Sequence, residues 1–462
     1  MTSGESTRGA SPAPAPSRLG PFRYPSFAAL WLATIVSNIG SWMYSTASGW
    51  LMTGLSPDPF IVALVQVAAS LPMFLLAIPA GALADIVDLR KLLVGTEIGI
   101  TVVSAAFALI VSLDIATPGN LLLFTFLSAV LSALQAPAWQ AVVPQLVPPQ
   151  SLQGAIAANS VGINISRAVG PALGGIILAK FSLAMPFWVN AVSYLGMVGV
   201  LFCWRPPQRG RRHLPVEQFG SAIRTGFRHA RNNPQLLATM VRAAGFFLFA
   251  TAYWALLPLV AREQIAGGPE LFGFILAVIG IGAIAAAFGL GWLESKLGPD
   301  WLVAAGTIGT GIAMALFAVA RGPAIALVAS VIAGAAWTVS VATLNVSAQV
   351  ALPDWVRGRG LAMFVTVLFG TMALGSAVWG WVADMVALPG ALFIAAACAV
   401  AGIPLTWRWK LQTGGGADLT PSMHWPDPVV THDVERHEGP VLGDSRVSDR
   451  PPRSGTIPRC NE

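Results

Sequence analysis

The chain has 462 residues, 55% of them hydrophobic and only 10% charged, with a formal net charge of +6. Soluble domains carry about 25% charged residues, so this composition excludes a soluble globular protein. The basic excess does not point to nucleic acid, because it sits in loops between apolar runs rather than in one patch.

In chain order, residues 1–25 are rich in Ser, Ala and Pro and have no apolar core, which predicts a disordered cytoplasmic tail rather than a cleavable signal peptide. Twelve apolar runs follow, at 27–50, 60–84, 92–113, 120–139, 155–179, 183–202, 239–260, 271–292, 302–320, 324–346, 361–383 and 388–407. Nearly all are long enough to cross a hydrocarbon core of about 30 Å as a helix. Between the sixth and seventh runs, residues 205–235 are polar and hold seven arginines, dividing six spans from six. The segments are therefore a tail (1–25), a six-helix half (26–204), a basic linker (205–235), a second six-helix half (236–411) and a polar, Pro- and Gly-rich extension (412–462) with no periodicity that could build a core.

With the N-terminus inside, the inner loops and ends up to Lys410 hold 17 Lys and Arg, and the outer loops hold Lys180, Arg262 and Arg321. That bias orients the chain with both ends in the cytoplasm. The two halves share more than their span count. The loop Gly81-Ala-Leu-Ala-Asp85-Ile-Val-Asp-Leu-Arg90-Lys91 has a fainter copy from Gly291 to Trp301, and the segment from Pro149 to Gly154 has one from Pro353 to Gly358. Two halves of like orientation are related by an axis along the membrane normal, an arrangement that typically encloses a midplane site.

These residues carry a resemblance. Gly81, Leu83, Ala84, Asp85, Arg90 and Lys91 fall on the loop signature of the major facilitator superfamily, with Ile86, Asp88 and Leu89 departing from it. The stretch Ser166-Arg-Ala-Val-Gly170-Pro171-Ala-Leu-Gly174-Gly175 resembles the Gly-Pro motif of that family's exporters. The segment from Pro137 to Pro148, followed by Ala157-Ala-Asn159, is similar to the subfamily of the enterobactin exporter and macrolide-efflux-like proteins. The resemblance implies an all-α membrane protein of twelve transmembrane helices in two pseudo-symmetric halves. It implies a monomeric secondary transporter of the cytoplasmic membrane, exporting a small siderophore-like or drug-like molecule by alternating access in exchange for protons. It also implies that Asp85 docks against the eleventh helix, with Arg357 and Arg359 as partners. A non-transporting scaffold or sensor on the same fold, and an importer, are the alternatives.

Several polar residues fall inside the spans. Arg167 lies about 18 Å along the fifth run, where a charge is costly unless it faces a cavity or a partner; both a pathway role and a structural one are open. Arg242 lies near the inner edge, where its stem can snorkel. Glu97, the deepest acid, is either a proton carrier or the partner of a basic group near the inner mouth. Asn38, Gln66, Gln135, Asn164 and Asn345 either tie helices together or line a cavity, with Trp42, Trp50 and Trp139 as possible stacking surfaces. The fourth span carries no charge over 126–136, where proton-coupled drug antiporters of the family have an Arg motif. All five histidines lie outside the spans, Cys203, Cys398 and Cys460 have no metal or disulfide spacing, and no phosphate-binding loop is present. No cofactor and no enzymatic activity are expected, and the partners are the bilayer, a small solute and protons.

Overall fold

The computed structural model describes residues 20–204, 233–353 and 356–412, without the Asp85 side chain. Most of the expected tail (1–25), the basic linker (205–235) and the extension (412–462) thus lie outside the described residues. Within them the chain is helical: α1 (Pro25–Leu55), α2 (Pro59–Ile86), α3 (Leu89–Ser112), α4 (Pro118–Leu146), α5 (Pro149–Lys180), α6 (Met185–Cys203), α7 (Pro234–Leu259), α8 (Pro269–Lys296), α9 (Pro299–Val319), α10 (Pro323–Val350) and α11 (Arg357–Thr406). Eleven described helices are long and apolar enough to cross a membrane.

The helix boundaries are written in local chemistry. Eight of these helices have proline at the first position, where the missing N–H would have had no partner and the fixed φ suits a helix. Where a side chain can cap, it does: Asp58 accepts from Phe60 and Ile61, Asp88 from Lys91, and Thr117 exchanges bonds with Asn120 in a capping box. Beyond α7 the chain continues as one π-helical turn, Val260–Gln264. Gln264 Nε2 donates from that turn to the carbonyls of Phe317, Ala318 and Ala320, satisfying the end of α9.

Helix α11 needs separate comment. Its 50 residues would extend about 75 Å at 1.5 Å per residue, far more than one crossing. Ala387 interrupts it with φ 62° and ψ 161°, so two helices meet there. The two arms match the eleventh and twelfth spans expected from hydropathy.

The same neighbour pattern recurs in both parts of the chain. In the first, α1 packs on α5 and α6, α2 on α4, and α3 on α4 and α6. In the second, α7 packs on α11, α8 on α10, and α9 on α10 and α11. Two principal contacts join the parts, α5 with α8 and α2 with α11. The arrangement is that of a duplicated six-helix bundle whose halves meet through one exchanged pair of helices on each side.

Candidate functional site

The interface between the halves is built on small residues. Along α5, Gly170 and Gly174 face α1: a Cβ at Gly174 would lie 3.1 Å from the Met43 Cα, and one at Gly170 would meet Trp42 and the Ile39 carbonyl. Pro171 and Gly175 face α8, where a Cβ on Gly175 would stand 2.6 Å from the Pro269 carbonyl and one on Gly273 would meet the Pro171 carbonyl. The helix runs through Pro171 without interruption. Because Pro171 has no N–H, the Arg167 carbonyl loses its intrahelical donor. That carbonyl faces Gly280 of α8, 3.2 Å from where a Cβ would sit. The exporter-like motif thus works on both faces of α5, one against its own half and one across the seam.

This seam is closed at one end only. Residues 272–280 of α8 are mostly buried, whereas none from 284 to 296 is buried and Phe288 is 88% exposed. On α5 the part before Ser166 buries only Ala155 and Gly162, and a Cβ added at Gly81, Gly289 or Gly291 would meet nothing within 4 Å. The closed end lies by the loops after α1, α5 and α7. There Arg262 Nη1 donates to Thr53 Oγ1 at 3.2 Å and its guanidinium stands 5.2 Å from the Trp50 ring centroid. Trp50 in turn stacks on Phe272 at 6.0 Å. From the sequence alone Arg262 is only an outer-loop charge, because Thr53 is 209 residues away.

Arg167 sits where the closed part of the seam ends. It is half-buried, with its guanidinium 5.9 Å from the Trp42 ring centroid. No carboxylate lies within ion-pair distance of it among the described residues. Across the seam, Tyr253, Trp254 and Trp337 form a ring cluster with centroids 5.4–6.4 Å apart. The Tyr253 hydroxyl and the Trp254 indole N–H are buried beside each other.

The other sequence candidates separate clearly. Glu97 is fully buried; one carboxyl oxygen accepts from Gln135 Nε2 at 2.8 Å, and the Trp139 indole of α4 is a second neighbour of the carboxyl. Its neighbours are therefore an amide and an indole from α4 and not a basic residue at the inner mouth. Gln135 of α4 bridges to Glu97 of α3, whereas Asn164 and Asn345 donate to carbonyls one turn back on their own helices, Ser160 and Val341. Gln66 bonds Ser70 on its own helix and lines a cavity of about 160 Å³ inside the first half. Asn38 is half-buried on α1.

Of the charged loop, Gly81 lies in open space, and Asp88 caps α3 through the Lys91 N–H. Arg90 donates to the carbonyls of Leu201 and Phe202 at 3.1 and 2.7 Å, binding the C-terminal end of α6 within its own half. Arg357 and Arg359 stand at the start of α11; the expected pairing with Asp85 lies outside the described residues, since that side chain does. The snorkelling expected of Arg242 is corrected: the residue is 3% exposed and its Nη2 donates to Asp300 Oδ1 at 2.6 Å, with the guanidinium 5.2 Å from the Trp407 ring. Asp300 is 58 residues further along, and a local reading of the span could not supply it.

A duplicated all-helical bundle with eleven long apolar helices among the described residues, the last broken at Ala387, has the architecture of a major facilitator transporter. The sequence profile of the transmembrane secretion effector family matches residues 16–444, and the chain belongs to that family, whose members are membrane transporters and not enzymes. It is 27% identical to the staphyloferrin A transporter of Staphylococcus aureus over 53% of this chain and 62% of that protein. It is 24% identical to the enterobactin exporter EntS of Shigella boydii over 64% of this chain and 70% of that protein. The match to the first of these relatives thus spans less than two thirds of its length. The fold superposes on a point mutant of the nucleoside transporter NupG with a TM-score of 0.67 and 12% identity, covering 83% of this chain and 99% of that one.

Proposed function

We propose that the protein is a secondary transporter of the cytoplasmic membrane that exports a small organic solute by alternating access. Both termini are cytoplasmic, so the open end of the seam faces the cytoplasm and admits the solute from there. The observation that carries this reading is the asymmetry of the α5–α8 seam: backbones touch at Gly175 and Gly273, yet residues 284–296 of α8 have left the interface. A rigid scaffold has no need of a glycine seam sealed at one end and parted at the other. Transport follows if the bundles rock so that the sealed end opens and the open end closes.

In this reading Arg167 and the aromatic cluster opposite it form the recognition surface. An arginine without a carboxylate partner among the described residues, placed where the closed part of the seam ends, is set to meet negative charge on the solute, and the rings offer it flat apolar surface. A siderophore-like or drug-like molecule has both features. Glu97 exchanges the coupling proton: it is a buried carboxyl with one oxygen held by Gln135 and no cation beside it. The protein works as a monomer in the bilayer.

The test is an untargeted comparison of metabolites inside and outside cells that lack, carry or overexpress the protein. The expected result is a compound that accumulates inside the deletion strain and outside the overexpressing one. Accumulation outside the deletion strain would make the protein an importer, and no difference would favour a scaffold. Once the compound is known, Glu97→Gln should leave exchange of labelled for unlabelled compound intact and remove the dependence of net export on the pH gradient. Export by that variant that still follows the gradient would rule Glu97 out.

A further inference from the structure

The cavity beside Gln66 is enclosed by α1, α2, α3, α4 and α6, and its lining includes neither Arg167 nor any residue of α5 or α8. Ten of its fourteen lining residues are polar and none is charged. Five buried polar atoms on this lining lack a hydrogen bond of good geometry, namely Tyr44 Oη, Ser48 Oγ, Thr125 Oγ1, Ser128 Oγ and Asn190 Oδ1, with the Tyr44 hydroxyl set among those of Ser48, Thr125 and Ser128. They come from three helices, α1, α4 and α6, so no single helix's own register accounts for the cluster. Two nearby groups are already fixed: Asn190 Nδ2 donates to Ser104 Oγ at 2.9 Å, and Tyr194 Oη pairs with Ser41 Oγ at 2.7 Å. These bonds hold Asn190 and Tyr194 in place.

Buried polar atoms without partners are costly, and in folded proteins nearly all are satisfied by protein, water or ligand. Here the space to do so is present, since about 30 Å³ per water molecule gives the cavity room for five or so waters or for a short chain of hydroxyl-bearing carbons. Hydroxyl linings both donate and accept, so they match groups that do the same. An ionised group would lose its hydration without meeting an opposite charge, so the lining rejects it. The cavity is not sealed, because Ser45, Ala69 and Ser132 on its lining are exposed, which places its mouth between α1, α2 and α4.

We propose that this cavity is a lateral recognition subsite for an uncharged polyhydroxyl group of the transported solute. The inference rests on the transport reading above and gives it a substrate class: a molecule with a polyol-like arm. The arm enters the first half, and the remainder stays by Arg167 and the aromatic cluster. Exchange of the arm's hydroxyls for water is close to neutral, so the subsite contributes selectivity: a solute without such an arm leaves the five atoms to water or unpaired.

The experiment uses the full chain in lipid nanodiscs and two fluorescent probes that differ only in the arm, N-dansyl-glucamine and N-dansyl-hexylamine. The polyol probe is expected to bind at least about tenfold more tightly than the hexyl probe, since a site built to hydrogen-bond hydroxyls discriminates against analogues lacking them. Ser128→Leu, which fills the cavity, should remove that preference by weakening polyol-probe binding to the level of the hexyl probe. Thr125→Val, nearly isosteric, should reduce the preference in part and guards against a folding defect in the first variant. Equal binding of the two probes, or a preference that survives Ser128→Leu, would overturn the subsite and leave the cavity to water alone. Because binding is read without transport, this failure is distinct from failure of the export reading, in which no metabolite shifts across the membrane.

Discussion

Arg167 and Arg242 are both arginines in spanning helices, and their surroundings give them different work. Arg242 is buried against Asp300, with Lys410 also 3.8 Å from that carboxylate. Breaking such a pair leaves one charge uncompensated at a cost of about 3–5 kcal/mol. Asp300→Asn is therefore expected to lower the melting temperature of the purified protein markedly, whereas the pairwise replacement Arg242→Met with Asp300→Leu should recover most of the loss; a thermal melt followed by tryptophan emission checks both. Arg167 has no carboxylate to lose among the described residues. Its replacement by Ala should leave the melting temperature nearly unchanged and abolish export of the compound identified by metabolite comparison, with Lys restoring it only in part because a guanidinium fork and its stacking on Trp42 are not reproduced by an ammonium. From the sequence, an intramembrane arginine was recognisable at both positions. Which one was paired was not, since Asp300 comes from another span and pairing is a property of the packed bundle.

Between α5 and α8 the governing feature is backbone contact. The motif on α5 was legible as a small-residue face with a proline, and its direction against α1 and across the seam became clear only in the packed helices. Nothing in residues 269–283 advertised the α8 side as strongly, although Gly273 and Gly280 are spaced by seven residues and so fall on one helix face. Gly273→Leu would place a side chain on the Pro171 carbonyl. The expected effect is a seam that no longer seals at the Trp50–Arg262 end, with export reduced to background and the melting temperature little changed. A cysteine at Thr53, buried in the present arrangement, should then become reactive toward a membrane-impermeant maleimide added from outside. An unreactive Thr53→Cys in that background would mean that the close contact does not keep this end shut. The break in α11 shows the limit of hydropathy in another way: two spans were expected, and the structure joins them through a single residue with positive φ, Ala387, instead of through a loop.

For the whole molecule, the recurring neighbour pattern follows from the duplicated sequence, and the apolar runs were enough to anticipate an all-helical membrane bundle. What the sequence could not supply is the relation between the halves, which depends on contacts between α5 and α8 and between α2 and α11, elements far apart along the chain. The central claim is that these halves exchange a seam closed at one end for a seam closed at the other. Spin-label distances test it directly, with one pair at Gln153 and Ser295, on the parted ends of α5 and α8, and another at Lys180 and Glu263, beside the sealed end; all four residues are exposed. In lipid nanodiscs the account predicts two populations whose distances change in opposite senses, the Gln153–Ser295 distance shortening as the Lys180–Glu263 distance lengthens. One fixed distance for each pair, unchanged when the pH is stepped or the transported compound is added, would contradict it.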